Sequence, residues 1–280
     1  MRTLIALASF ALISCGPADG SPPPPATSGS PSLPATGGCS SLPSTGGSSS
    51  LPSTGGSPSD GGTQAEVPNP LGRYRCKAPE GSNPSPQTIQ ETVDLLNALP
   101  KPTSVACFVE SLGRPLTITA TTSQSSAQPA GSATSPRIFI RLGQLWLSVV
   151  IDGISTDLLE FGYLLPNTYR SIKAELHLPI EAELTQSAPF ERPMYDEIGT
   201  VCRLCHRDEQ PEELLGIPNV FSSRALKPRP ETLIPIETLA LAAQTCNWQT
   251  EPHRCEMLAA IFASGPVLQG TFPDSMDTFF

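Results

Sequence analysis

Basic residues are missing from the first part of the chain, where no Lys, Arg or His lies between Arg2 and Arg73. The whole sequence has 17 Lys and Arg against 26 Asp and Glu, which gives a formal net charge of −9. A surface that binds nucleic acid needs clustered Lys and Arg to neutralise phosphates. We therefore expect no nucleic-acid partner.

Long apolar runs and catalytic fingerprints are also missing. The apolar run at residues 3–13 is too short to cross a bilayer. The patterns G-x-S-x-G and H-E-x-x-H, the P-loop and the dinucleotide-binding fingerprint do not occur. No motif therefore supports a hydrolase, a zinc peptidase or a nucleotide-dependent enzyme. Enzymatic activity stays open, and a non-enzyme is the favoured class.

The N-terminus has a short basic start followed by the apolar residues 3–13, which is typical of a secretory signal peptide. Residues 12–15 (LISC) resemble the lipobox of bacterial lipoproteins. The resemblance implies cleavage before Cys15, acylation of Cys15 and a cell-envelope protein anchored to a membrane by lipid. Gly16 follows, where Asp would favour the inner membrane, so the outer membrane is expected, facing the periplasm or the surface. The alternative is an ordinary signal peptide with an incidental Cys.

Composition divides the chain into four parts. Residues 15–70 are rich in Pro, Gly and Ser and contain a nine-residue repeat beginning at Ser32, Ser41 and Ser50. Such a segment has too few apolar side chains for their burial to offset the loss of chain entropy on folding. A disordered linker is therefore expected. The predicted parts are a signal peptide (residues 1–14), the lipidated linker (15–70), a β-rich domain (71–195) and a helical segment (196–280).

Hydrophobic periodicity predicts an α+β fold. A helix is expected from an N-cap at Ser85 to Pro100. Short β-like runs follow, and the strict alternation at 171–178 indicates a sheet with one buried and one wet face. These runs predict an antiparallel, small sandwich-like sheet from strands at 104–110, 116–122, 137–142, 145–151, 158–164 and 171–178. Two C-terminal helices are expected at 236–245 and 252–263.

The cysteine count indicates an oxidising compartment. Of 8 Cys, setting Cys15 aside leaves an odd number. We predict one disulfide between Cys76 and Cys107, which flank the first helix. A second disulfide, between the two C-terminal helices, would join Cys246 and Cys255. Cys39 occupies a Ser position of the repeat, either as a drifted Ser or for an intermolecular disulfide.

Residues 202–206, Cys-Arg-Leu-Cys-His, have the form C-x-x-C-H, the pattern by which c-type haem is attached. Together with the export signal, this segment resembles c-type cytochromes. The resemblance implies that Cys202 and Cys205 form thioethers with the porphyrin and that His206 binds the haem iron.

The resemblance also implies that the sixth iron ligand is Met or His, unless the iron is five-coordinate. Met276 is the first candidate because it lies in a Pro-containing C-terminal segment. Met257 and His253 are the alternatives.

Three other interpretations of the motif remain open. Cys202 and Cys205 could form a local disulfide, act as a thioredoxin-like redox pair, or bind zinc with two further His or Cys ligands. The sequence thus predicts a lipid-anchored envelope protein with one c-type haem, for electron transfer to an unknown partner or for redox sensing. The alternative is a non-enzymatic envelope lipoprotein with structural disulfides and a β-rich domain that binds another envelope component.

Overall fold

The structure, a computed structural model, describes residues 76–214 and 216–279. The predicted signal peptide, the lipidation site Cys15, the linker and Cys39 lie outside the described residues. None of the described helices is long and apolar enough to cross a membrane. The α-helices are α1 (Ile89–Ala98), α2 (Val105–Ser111), α3 (Ala188–Glu191), α4 (Ile236–Gln244) and α5 (Pro252–Phe262).

The fold is mixed α+β with a large, mostly antiparallel sheet, as the sequence predicted. The strands are β1 (Leu116–Thr121), β2 (Arg137–Leu142), β3 (Leu145–Val150), β4 (Leu158–Leu164), β5 (Arg170–His177), β6 (Met194–Asp196), β7 (Gly199–Thr200), β8 (Gln210–Pro211), β9 (Phe221–Arg224), β10 (Leu226–Lys227), β11 (Leu233–Ile234), β12 (Val267–Gln269) and β13 (Asp277–Thr278). The main sheet has the order β11-β1-β2-β3-β4-β5-β9-β8, and β12 pairs in parallel with β1.

The centre of the sheet is an antiparallel meander. A two-residue turn at Gly143 and Gln144 joins β2 to β3, and Leu142 pairs with Leu145 across it. Gly143 has a positive φ of 63°, which a residue without Cβ adopts at no steric cost. The pairing register that follows fixes which side chains share a face.

One face of the sheet carries the main hydrophobic core. Ile138, Leu147 and Leu159 point into it from neighbouring strands and are fully buried. The helices cover this face, with α5 packed on both α2 and α4. Phe108 from α2 and Leu258 from α5 are among the buried helical residues.

The sheet departs from the sequence prediction on its other face. That face was expected to be wet, but Trp146 and Ser148 are buried there, and β3 is buried at every position. Alternating polar residues predicted exposure because hydropathy cannot distinguish solvent from a covered, polar-lined cavity. Segments that follow β5 in the chain supply most of the cover.

Two further expectations differ from the structure. Residues 104–110 were expected to form a strand, but they form α2, because Ser104 caps a helix by accepting a hydrogen bond from the Cys107 N–H at 3.1 Å. The first helix begins at Ile89 with Thr88 as its N-cap, rather than after Ser85. The part after residue 195 is not only helical: it contributes β8, β9, β11 and β12 to the main sheet.

Both predicted disulfides are present. Cys76 is bonded to Cys107 over a sequence separation of 31, and Cys246 to Cys255 over a separation of 9. The second bond joins the end of α4 to the first turns of α5.

We predict that removing the longer-range disulfide destabilises the protein more. Cys76→Ala with Cys107→Ala should lower the free energy of unfolding by roughly 3–4 kcal/mol, against roughly 2–3 kcal/mol for Cys246→Ala with Cys255→Ala, because the longer loop restricts the unfolded chain more. Urea unfolding of the two double variants measures the difference. Equal losses, or a larger loss for the shorter loop, would contradict the loop-entropy explanation.

Candidate functional site

A partly enclosed cavity of about 510 Å³ lies against the second face of the main sheet. This volume is in the range typical of small-molecule and cofactor sites. The strands β2, β3, β4 and β5 form its floor, and residues 121–127, 201–206, 225–228 and 272–279 contribute its remaining walls. We call this space the motif cavity because every residue of the C-x-x-C-H pattern except Arg203 lines it.

A short turn positions the motif. Val201–Leu204 form a 3-10 helix, which Thr200 caps by accepting a hydrogen bond from the Cys202 N–H at 3.1 Å. The next turn is helical, because the His206 N–H donates to the Cys202 carbonyl at 2.8 Å. Thr200 is itself held by Glu209, which accepts a hydrogen bond from the Thr200 N–H at 2.7 Å.

The two motif thiols are not bonded to each other. Cys202 is half-buried and Cys205 is exposed, and both are free cysteines. Burial raises the pKa of the Cys202 thiol, and a hydrogen bond to Thr200 only partly opposes this. In a thioredoxin-type pair, by contrast, a helix N-terminus lowers the pKa of the reactive thiol. Cys202 lies on a short 3-10 turn and its pKa is raised, so it does not resemble such a thiol.

Zinc finds no preformed site at the motif. Within residues 76–214 and 216–279, one group of His, Cys, Asp or Glu brings its ligand atoms close enough for a single ion, and it consists of Cys246, Glu251 and Cys255. Its two sulfurs are joined as a disulfide, so they are not available as thiolates.

His206 is held in one tautomer. Its Nδ1 lies 2.9 Å from the carbonyl oxygen of Arg224, which can only accept, so Nδ1 carries the proton and Nε2 is left as a lone-pair donor. Burial, and then the positive charge of Lys173, lower the pKa of His206 to about 3. The ring is therefore neutral at neutral pH, which is the form that binds metals.

Met276 lines the same cavity as His206. It is buried in a small hydrophobic cluster with Trp146 and Ala225, separate from the main core. The other two candidate ligands are elsewhere. Met257 is buried in the main core on α5, His253 is exposed at the start of that helix, and neither lines the motif cavity.

Aromatic rings form one wall of the motif cavity. Phe272 stacks on Trp146 with ring centroids 4.7 Å apart and an interplanar angle of 11°. The same ring meets Phe139 edge-on at 5.1 Å. These contacts attach the C-terminal segment to the floor and leave flat apolar surface beside the motif.

A glycine makes room at the centre of the floor. The pairing register places Gly162 of β4 directly between Trp146 of β3 and Lys173 of β5. A Cβ added at Gly162 would meet only the Ser171 Oγ, at 4.0 Å. A methyl group at this position would therefore meet no protein atom closer than ordinary van der Waals contact.

Two buried polar groups of the floor have no hydrogen-bond partner. They are the Trp146 Nε1 and the Ser171 Oγ, on residues that are 6% and 1% exposed. Both residues line the motif cavity. Buried polar atoms in proteins are nearly always hydrogen-bonded, so these two indicate a polar occupant of the cavity.

Charged residues of the floor are paired with one exception. The Arg137 guanidinium donates to Glu160 and to the hydroxyls of Ser126 and Ser148, and it lies 4.6 Å from the Phe139 ring centroid. The Lys173 side chain, by contrast, makes no hydrogen bond or ion pair with any described residue, and burial lowers the pKa of its amine to about 8, offset in part by Cys202 and Glu160.

Comparison of the chain with protein-family models, with curated proteins and with solved structures found no match. The geometry of the site therefore has to support any functional conclusion.

Sequence reasoning found the motif and Met276 but missed the floor. The alternation at 171–178 placed Lys173 on a wet strand face, and no sequence pattern identified Trp146 as a residue of the site. Gly162 carried no local signal, because its role comes from its neighbours on β3 and β5. A pairing register was needed to find it.

We predict that Lys173→Met stabilises the haem-free protein. At pH 7 the Lys173 amine is charged in the native state although it is poorly hydrated there. Removing it should raise the free energy of unfolding by about 1–3 kcal/mol. Urea unfolding measures it, and Lys77→Met, at an exposed Lys, is the control.

The advantage of Lys173→Met should shrink as pH rises above 8. The pKa of Lys173 is about 8 in the folded protein and has the usual value of 10.5 in the unfolded chain, so between these values the unfolded state binds more protons and the unmodified protein gains stability as pH rises. A variant that is less stable at pH 7, or a difference independent of pH, would contradict the assignment of Lys173 as a buried unpaired cation.

Proposed function

We propose that this chain is an exported, lipid-anchored envelope protein that carries one covalently attached c-type haem in the motif cavity. One observation carries the proposal: two free thiols, a neutral imidazole with a free Nε2, and a Met thioether line the same aromatic cavity. The four residues are Cys202, Cys205, His206 and Met276. The anchor at Cys15 and the location in the cell envelope come from the sequence pattern alone.

The residues of the cavity fit this group in three respects. Gly162 leaves space in the floor, aromatic rings line one wall, and the donor set matches the attachment and axial ligands of c-type haem. When bound, haem supplies a one-electron redox centre. The protein attaches it through Cys202 and Cys205 and orients His206 through the hydrogen bond to the Arg224 carbonyl.

The identity of the sixth ligand bears on the task. Met276 is buried, lies against Trp146 and lines the cavity, so with His206 it would supply the Met and His ligands typical of electron-transfer cytochromes. An open sixth position would suit redox or gas sensing instead. We favour electron transfer because the structure brings Met276, and neither Met257 nor His253, to the cavity.

The alternative of a binding protein with only structural cysteines has less support. It requires Cys202 and Cys205 to be structural, yet both are free in the structure, whereas the other four described cysteines are paired. The motif cavity could still serve a binding function without haem, and the next experiment separates the two.

We predict that the chain retains haem after denaturation when it is expressed with a cytochrome c maturation system. Peroxidase staining of the denaturing gel should show a band at the mass of the chain, because thioether bonds survive unfolding. Cys202→Ser should weaken the stain strongly, and Cys202→Ser with Cys205→Ser should abolish it. Cys39→Ser removes a thiol outside the motif and should stain fully. A colourless protein of the expected mass would refute the haem proposal.

We also predict that Met276→Leu changes the absorption spectrum of the loaded protein to that of five-coordinate iron and lowers its reduction potential, since a Met ligand raises the potential. Leu has nearly the shape of Met, so the fold should be kept. Met257→Leu makes the same change in the main core and should leave the spectrum unaltered. If both variants match the unmodified protein, Met276 is not a ligand and redox sensing becomes the better function.

A further inference from the structure

The floor of the motif cavity holds three polar groups that the described protein leaves without a partner. The Trp146 Nε1 and the Ser171 Oγ are buried with no hydrogen bond, and Lys173 has no hydrogen bond or ion pair. All three residues line the same cavity. Two are N–H donors and the third is a hydroxyl, which can also donate, so the set is suited to an acceptor.

The nearby carboxylates do not satisfy Lys173. Glu160 is already paired with Arg137, and Glu175 lies 3.9 Å from the Arg192 Nε. Lys173 is half-buried, and Glu160 opposes the loss of hydration of its amine only in part. A poorly hydrated cation without an ion-pair partner is costly, and a hydrogen-bonded anion lowers that cost. The cavity is thus complementary to an occupant that brings a negative charge to Lys173.

The pairing register shows where that charge belongs. Trp146, Gly162 and Lys173 lie side by side on three adjacent strands, with the glycine between the other two. With strands spaced 4.7–4.9 Å apart, the Trp146 and Lys173 backbones are about 10 Å apart across the gap at Gly162. A flat apolar body can cover that gap while an acidic substituent reaches Lys173.

We propose that Lys173 binds a carboxylate of the cavity's occupant, and that the floor thereby selects a porphyrin that has free propionates over one that does not. This inference rests on the proposed function, because it takes a porphyrin as the occupant. It assigns a recognition residue that the C-x-x-C-H pattern does not indicate. Binding of the acid form would occur before and independently of the thioether bonds.

The test uses metal-free protoporphyrin IX and its dimethyl ester with the haem-free chain, in the same low concentration of non-ionic detergent. Without iron, His206 and Met276 cannot act as ligands, so the difference between the two probes reports the carboxylates. Quenching of Trp fluorescence gives both affinities. The unmodified protein should bind the acid at least about tenfold more tightly than the ester, as expected for a charge-assisted hydrogen bond.

Three variants make the result specific. Lys173→Met should bring the affinity for the acid down to that for the ester and leave the ester unchanged, whereas Lys173→Arg should keep the preference. Lys77→Met removes the same charge from an exposed position and should behave as the unmodified protein. Gly162→Leu should weaken both probes, because its side chain fills the gap in the floor.

The outcomes separate the two proposals. Equal binding of acid and ester by the unmodified protein, or a preference that persists in Lys173→Met, would overturn the role of Lys173 and leave the porphyrin cavity standing. Failure to bind either probe, or binding unaffected by Gly162→Leu, would overturn both. Near-ultraviolet circular dichroism checks that each variant is folded.

Discussion

Both faces of the main sheet are covered at its centre, where β3 is buried at every position, and most features of the site follow from this constraint. The helices can cover only the face that carries Ile138, Leu147 and Leu159. The opposite face carries polar residues as well as aromatic ones, so a tightly packed second layer would leave charged groups without partners. Covering it loosely, over a cavity, buries the aromatic rings and still leaves room for a ligand beside Lys173.

Two of the segments that cover this face, residues 225–228 and 272–279, are tied to each other. Leu226 of β10 pairs in parallel with Asp277 of β13, and the Phe279 N–H donates to the Lys227 carbonyl at 2.8 Å. The Arg224 side chain forms an ion pair with Asp277. The segment that carries Met276 is therefore fixed to the strand that precedes it in the cavity wall.

Arg224 connects the two proposed iron ligands. Its carbonyl oxygen orients the His206 ring, and its guanidinium holds the segment that contains Met276. One backbone position thus sets the direction of the imidazole and the position of the thioether. Geometry of this kind has to be imposed by neighbours, because neither a motif of five residues nor an isolated Met can orient itself.

The sequence predicted the elements that local rules decide. The ends of β2 and β4 were predicted correctly because turn residues bound short apolar runs, and Gly143 marks the hairpin. Both disulfides were predicted from the positions of the cysteines beside helices. The strand predicted at residues 104–110 was wrong because a run of Val, Ala, Cys and Phe suits either a strand or a buried helix. The Ser104 cap favours the helix.

The floor of the cavity could not be predicted, for a different reason. Lys173 and Glu175 alternate with apolar residues as a wet strand face would, and only the position of segments about fifty and about a hundred residues later turns that face inward. Gly162 has meaning only as the neighbour of Trp146 and Lys173. Properties that depend on register and on distant segments are not encoded in any window of sequence short enough to read locally.

The composition of the floor argues against a cavity that exists only as a packing defect. Ser171 and Trp146 each leave a polar atom without a partner, at a cost of about 1–3 kcal/mol per group, and the unpaired Lys173 adds to it. Ala, Phe and Met at these positions would keep the shape of the sheet and avoid those costs. Residues that lower stability and converge on one cavity are expected where a ligand supplies the missing partners. The cavity where such a ligand would bind lies beside the motif, whereas the helices of the main core lie on the opposite face of the sheet.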